Sequence, residues 1–221
     1  MDALIERDER FRPVALATKI LYALFSAYLV ISGAVRGDSY RFVMGLGTYF
    51  LFPLFWALYK VFRWKSGYQL EFCVYVFTFL AYPLGGTAEF YQKIRGFDKV
   101  AHTLSGVFVA LLALALFLYL ERNRPLREHN APTAVLFVFF CSMAVAGLFE
   151  VCEWAAAAIT GRDLQHVLGT GVNDTMQDIL VCLVGTLLFC PLVPRFYRGK
   201  YDPLTGAVAG FLAKNGLCRA E

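Results

Sequence analysis

The chain has 221 residues, 58% of them hydrophobic and 17% charged, with a mean hydropathy of +0.55 and a formal net charge of +4. Soluble domains carry about 25% charged residues; here the charges sit in short clusters between long apolar runs, which argues against a soluble globule and for a membrane protein whose first partners are lipids. Nothing in so small a net charge points to nucleic acid, and six cysteines without a CxxC pair read as small packed hydrophobes rather than a zinc ribbon or a thioredoxin-like site.

The N-terminal stretch mixes Asp2, Glu6, Asp8 and Glu9 with Arg7, Arg10 and Arg12. The apolar run after it is longer than the core of a signal peptide, so residues 14–35 read as a first membrane helix. A spanning helix needs about 20 mostly apolar residues. Five further segments qualify, at 42–62, 70–90, 100–120, 133–159 and 175–194. The predicted fold class is therefore all-α: one polytopic membrane bundle over 1–194 with about six transmembrane helices, followed by a basic cytoplasmic tail over 195–221, of which 206–217 could lie along the inner membrane surface and 203–221 could be deleted with insertion and the outer site intact. Short connections make neighbouring helices antiparallel hairpins, with polar loops at 63–69 and 121–131.

Lysine and arginine set the orientation. Of the 21, 15 fall on the side of the N-terminus, the second and fourth loops and the tail; Arg36, Arg41, Lys93, Arg95, Lys99 and Arg162 fall on the other. Both termini are expected in the cytoplasm. Glu71 and Glu121 then sit at cytoplasmic helix ends, where they reach water and need no function.

The remaining acidic residues gather at the opposite, outer side. Asp98 and His102 open the fourth helix at i,i+4 spacing, Glu150 and Glu153 lie in the outer part of the fifth at i,i+3, and Asp174 and Asp178 open the sixth at i,i+4. Such pairs share a helix face, and convergent positions on several helices are how bundles build carboxylate–histidine metal sites. If Trp154 marks the interface, Glu150 lies about 6 Å below it, at 1.5 Å per residue. Charges in a membrane helix cost up to about 3 kcal/mol each, so they must face inward and share protons, salt bridges or a cation. Lys99 and Arg162 look too few and too near the surface to neutralise them. The expected metal ligands are thus Asp98, His102, Glu150, Asp174 and Asp178, with Glu150 or Glu153 as general base and Glu89 at the rim. The glycine-rich loop 160–173 could close over the site as a lid or add His166. Taken singly, Asp98 and Asp174 also read as plain helix N-caps, and the whole set as a structural ion network.

Three blocks carry a resemblance. They are Phe97-Asp98-Lys99-Val100-Ala101-His102 with Ser105-Gly106, then Glu150-Val151-Cys152-Glu153-Trp154, then Gly171-Val172-Asn173-Asp174-Thr175-Met176-Gln177-Asp178. Together they resemble the YjdF-like bacterial inner-membrane proteins, a family of unknown function. The Asp-Lys-x-x-His element and the later paired aspartates are also similar to the VanZ-like proteins, some of which are linked to glycopeptide resistance. The resemblance implies a bacterial inner-membrane, multi-pass location in the cell envelope. It departs at Cys182, where an asparagine is common four residues after the last aspartate; a thiol there favours a softer metal.

Three functional classes remain open. The preferred one is a divalent-metal-dependent hydrolase or transferase acting on a lipid-linked or envelope substrate. The second is a proton- or metal-coupled transporter or flippase, against which stand the apolar cytoplasmic halves of the last three helices. The third is a non-catalytic membrane protein held by an ion network.

Overall fold

Prolines decide where the apolar runs break. A helical proline lacks the N–H that would bond four residues back, and its ring crowds that carbonyl. Pro53 would face Tyr49, Pro83 would face Phe79 and Pro191 would face Leu187, and the α-helix breaks at Phe50, widens over Leu80–Thr87 and breaks again at Cys190–Pro191. The structure is a computed structural model describing residues 2–87, 90–161, 163, 165 and 167–217. Its helices are α1 (Asp2–Arg10), α2 (Arg12–Arg36), α3 (Ser39–Tyr49), α4 (Leu51–Phe62), α5 (Tyr68–Phe79), α6 (Phe90–Lys93), α7 (Phe97–Leu120), α8 (Ala131–Thr160), α9 (Val167–Thr170), α10 (Asn173–Phe189), α11 (Leu192–Tyr197) and α12 (Pro203–Lys214). A π-helical segment, Leu80–Thr87, continues α5 around Pro83. The Tyr91 hydroxyl donates to the Ala81 carbonyl at 2.9 Å within this widened turn.

Six of these helices or helix pairs are long and apolar enough to cross a membrane: Asp2–Arg36, Ser39–Phe62, Tyr68–Thr87, Phe97–Leu120, Glu128–Ile159 and Asn173–Tyr197. The all-α, six-span architecture expected from the sequence is the one observed. Large apolar side chains such as Leu21, Val35, Val61, Leu148 and Leu188 stand exposed, as a lipid-facing surface requires. The chain divides into two compact units, Met1–Phe97 with Tyr201–Ala220, and Asp98–Lys200.

The first unit is built on close backbone approaches and rings. A Cβ on Gly33 would stand 2.6 Å from the Phe42 nitrogen, and one on Gly45 would stand 2.8 Å from the Val30 nitrogen, so α2 and α3 touch through their glycines. Beside them Tyr22, Phe52, Phe55 and Phe79 surround or extend from Tyr75, with ring centroids 5.1 Å (Tyr22–Tyr75), 5.4 Å (Phe52–Tyr75) and 5.6 Å (Phe55–Tyr75) apart.

Two sequence expectations fail in this unit. Glu71 does not reach water. It is fully buried, ion-paired with Lys19 of α2 and accepting a 2.5 Å hydrogen bond from the Tyr59 hydroxyl of α4. Its place near a helix end suggested solvent, but α2 and α4 close over it. Nor does the chain after 195 form a surface tail throughout. Asp202 caps α12 through a capping box with Thr205. Ala207, Val208 and Leu212 are wholly buried, with α1 and α5 packed against the helix. Gly206 and Gly210 admit Arg7 and Asp8 of α1 to this face. Asp8 is also buried; its carboxylate accepts from the Tyr68 and Gln69 amides at 3.2 and 3.0 Å, capping α5 from another helix, and holds Lys214 at 3.2 Å.

Candidate functional site

The second unit is organised by a glycine crossing. A Cβ on Gly106 of α7 would lie 2.2 Å from the Cys182 carbonyl oxygen, and a Cβ on Gly185 of α10 would lie 2.0 Å from the Thr103 carbonyl oxygen. The two helices therefore meet backbone to backbone, each supplying the glycine that the other's carbonyl occupies. The third helix, α8, pins the crossing. The Ser142 hydroxyl lies 3.3 Å from the Gly106 carbonyl and 2.8 Å from the Thr186 hydroxyl, which donates to the Cys182 carbonyl at 2.9 Å. This register puts His102 one helical turn before Gly106 and Asp178 two turns before Gly185, on facing sides.

The charged groups meet there. The Lys99 ammonium donates to Asp174 Oδ1 and Asp178 Oδ1, both at 2.7 Å, and lies 3.1 Å from Asp98 Oδ2. His102 Nε2 lies 3.4 Å from Asp98 Oδ1 and 3.8 Å from Asp178 Oδ1. One donor atom each from Asp98, His102 and Asp178 falls within 4.8 Å of the others. The ring of Phe149 stands edge-on to His102, with centroids 6.0 Å apart. Asp98 and Asp174 occupy first helical turns, where the positive end of the macrodipole favours a carboxylate. Asp174 is not the N-cap of α10: Val172 is, without a side-chain cap bond, leaving Asp174 to reach Lys99.

Of the residues singled out in the sequence, three thus form the compact donor set, and Asp174 joins it through Lys99. Glu150 is buried on α8 and is bound elsewhere, with the Gln165 amide donating to its carbonyl at 3.2 Å and to Oε2 at 3.4 Å. Glu153, half-buried, lies within electrostatic reach of Asp98, His102, Glu150 and Asp178 but outside the donor set. Glu89 and His166 lie outside the described residues, as does Arg162.

Lys99 corrects the sequence reading most. It was expected to lie too near the surface to neutralise the carboxylates, yet its ammonium reaches three of them. The signal was present: Lys99 is i,i+3 from His102 on the same helix face, and a four-carbon stem lets the head travel inward as readily as outward. Cys182, noted in the sequence as a thiol at the site, stands against His102, a contact the spacing did not show, and Gln165 was missed as the partner of Glu150.

Six helices long and apolar enough to cross a membrane, with a cluster of ionisable side chains between helices of the second unit, define this as an integral membrane protein. A family model described as predicted membrane protein (DUF2238) matches residues 17–199, and the chain belongs to that family. It is similar to the inner membrane protein YjdF of Escherichia coli, at 27% identity over 126 residues, covering 55% of this chain and 57% of that one. The match therefore spans little more than half of the relative's length. It is also similar to an uncharacterized protein of Thermotoga maritima, at 23% identity over 197 residues, covering 89% and 95% of the two chains. No solved structure matches.

Proposed function

We propose that the second unit binds a divalent cation between Asp98, His102 and Asp178, and that the protein is a metal-dependent hydrolase or transferase acting on a lipid-linked envelope substrate at the outer leaflet. The observation that carries this reading is the meeting of two carboxylates and one imidazole within 4.8 Å. Oxygen donors with one nitrogen suit Mn²⁺, Fe²⁺, Zn²⁺ or Mg²⁺, after the donors close to about 2.0–2.2 Å. Such an ion would polarise a phosphoryl or carbonyl oxygen, or activate a water.

The chain's own groups have distinct parts in this reading. Asp98 and Asp178 supply charge, His102 supplies Nε2, and Asp174 keeps hold of Lys99 when Asp178 turns to the cation. The ammonium, freed from Asp178 but still held by Asp174, would then be a donor for an anionic headgroup. Glu150 or Glu153 takes the proton; Gln165 fixes the Glu150 carboxylate through its 3.4 Å bond.

A second reading is carried by Lys99 itself, whose three short contacts make an ion network sufficient to hold α7 against α10. Metal analysis of purified protein separates the two. The proposal expects near-stoichiometric Zn²⁺ or Mn²⁺ on the wild type, lost in Asp98→Ala/Asp178→Ala and retained or tightened in Lys99→Met. Absence of ion binding by wild type and Lys99→Met alike, with Lys99→Met strongly destabilised, would leave the network reading standing alone.

A further inference from the structure

We infer that Cys182 is a positioning residue that fixes the tautomer of His102, so that Nε2 presents its lone pair to a cation held with Asp98 and Asp178. The inference rests on the cation reading above and deepens it. It starts from the neighbours of a buried thiol. Cys182 Sγ lies 3.2 Å from the His102 carbonyl oxygen, 3.5 Å from Ser105 Oγ and 3.8 Å from His102 Nδ1. A thiol has one hydrogen, and a carbonyl oxygen can only accept. The S–H therefore serves the carbonyl, the nearest of the three. The sulfur is left as an acceptor, and the Nδ1–H of His102 is the donor that faces it.

That assignment decides the other nitrogen. With Nδ1 protonated, a neutral ring carries a bare lone pair on Nε2, and Nε2 faces the carboxylate oxygens of Asp98 and Asp178 at 3.4 and 3.8 Å. Three acceptors turned toward one another repel unless a positive charge stands between them, either a proton or a metal ion. The Lys99 ammonium answers this only in part: it holds the same Asp178 Oδ1 at 2.7 Å, but it meets Asp98 through Oδ2, so Asp98 Oδ1 and Nε2 still face each other at 3.4 Å. A metal-bound histidine is oriented in the same way, by an acceptor on its second nitrogen that sets the tautomer and raises ligand basicity. Here the acceptor is a sulfur, locked in place because the backbone of Cys182 is the one that the Gly106 crossing seats.

The test uses the full-length protein in detergent micelles or nanodiscs, with ¹⁵N-labelled histidine. The chain has three histidines, so His102→Gln assigns the signals. At a pH alkaline enough to give a neutral ring, His102 should hold its proton on Nδ1 in wild type and in Cys182→Ser, which keeps both a donor and an acceptor. In Cys182→Val that preference should be lost. In parallel, Zn²⁺ affinity should fall about 10- to 100-fold in Cys182→Val, and stay within a few-fold of wild type in Cys182→Ser. A neutral His102 with its proton on Nε2 overturns the inference, as does a folded Cys182→Val with unchanged tautomer and unchanged affinity. A sulfur charge-transfer band in the Co²⁺-loaded wild type, lost in Cys182→Ser, overturns it too, by making the thiol a ligand. If wild type binds no Zn²⁺ yet keeps the proton on Nδ1, the cation reading fails and the tautomer assignment stands.

Discussion

Replacing Gly185 with alanine tests the claim that a backbone crossing builds the site. The new Cβ would stand 2.0 Å from the Thr103 carbonyl oxygen, a backbone atom that cannot rotate away. To reach an ordinary contact of about 3.4 Å the helices must part by about 1.4 Å. Forcing an extra methyl into a filled interface costs about 1–3 kcal/mol. The same opening stretches the bonds joining Ser142, Thr186 and Gly106, and interhelical hydrogen bonds in membranes contribute about 0.6 kcal/mol each. A loss of about 2–4 kcal/mol follows, together with a wider gap between His102 and Asp178, now 3.8 Å. Reversible unfolding in mixed micelles measures it. Gly147→Ala is the control, since a Cβ there meets nothing within 4 Å; it should be neutral or slightly stabilising, because alanine suits a helix better than glycine does. If Gly185→Ala is as stable as Gly147→Ala, the helices do not meet as described.

Four further outcomes follow from the first unit. Lys19→Met leaves Glu71 as an uncompensated buried charge and should destabilise by about 3–5 kcal/mol, whereas Lys19→Met/Glu71→Leu should recover much of that in a double-mutant unfolding cycle. Asp8→Ala removes a cap supplied from another helix and should cost about 0.5–2 kcal/mol; deleting 203–217 should unfold the unit outright, read as loss of monodisperse protein on gel filtration. Burial pulls the Lys214 ammonium down, but Glu9 at 2.7 Å and Asp8 at 3.2 Å outweigh it and raise its pKa above the ordinary value. A raised lysine contributes stability fully present below its unfolded pKa, about 10.4, and lost as pH rises through the higher folded value. The stability gap between wild type and Lys214→Met should therefore be flat from neutral pH to about 10 and close only above it; a gap that closes between pH 7 and 9 would contradict the pairing.

The six spans were legible because apolar length alone specifies them. The interruptions near Pro53, Pro83 and Pro191 went unread in spans taken as continuous, although each proline marks a missing donor. Among the polar residues, spacing placed Asp98 with His102 and Asp174 with Asp178, and the structure brings three of these four into one donor set. What spacing could not give was direction along a flexible side chain. Lys99 and Lys19 carry long stems, and their heads go where carboxylates are, not where the helix end points. Helix α12 escaped for another reason. Twelve residues are too few to span a bilayer, and a segment rich in alanine and glycine shows little amphipathic contrast. Its burial depends on Gly206 and Gly210 accepting the side chains of α1, a fact held by the partner helix.

The two units place charge among their helices in different ways, and the proposed cation site rests on that difference. Around Glu71 the account closes: one carboxylate, one lysine and one phenol, with both oxygens engaged. Around Lys99 it does not. Asp98, Asp174 and Asp178 share a single ammonium, Glu150 and Glu153 stand on the neighbouring helix, and His102 turns Nε2 toward two of the aspartates. Were the cluster only a brace, Lys99 with one aspartate would suffice, as Lys19 with Glu71 does. Among the described residues carboxylates outnumber bases here, so positive charge can come from a proton on a carboxyl or on His102, or from an ion that enters. Both leave a measurable trace. Protonated carboxyls show a carbonyl stretch in the infrared that Asp178→Asn removes, and a bound ion abolishes that stretch on titration with Zn²⁺. A cluster showing neither, with every carboxylate ionised, His102 neutral by ¹⁵N shift and no ion taken up, would refute the charge argument itself.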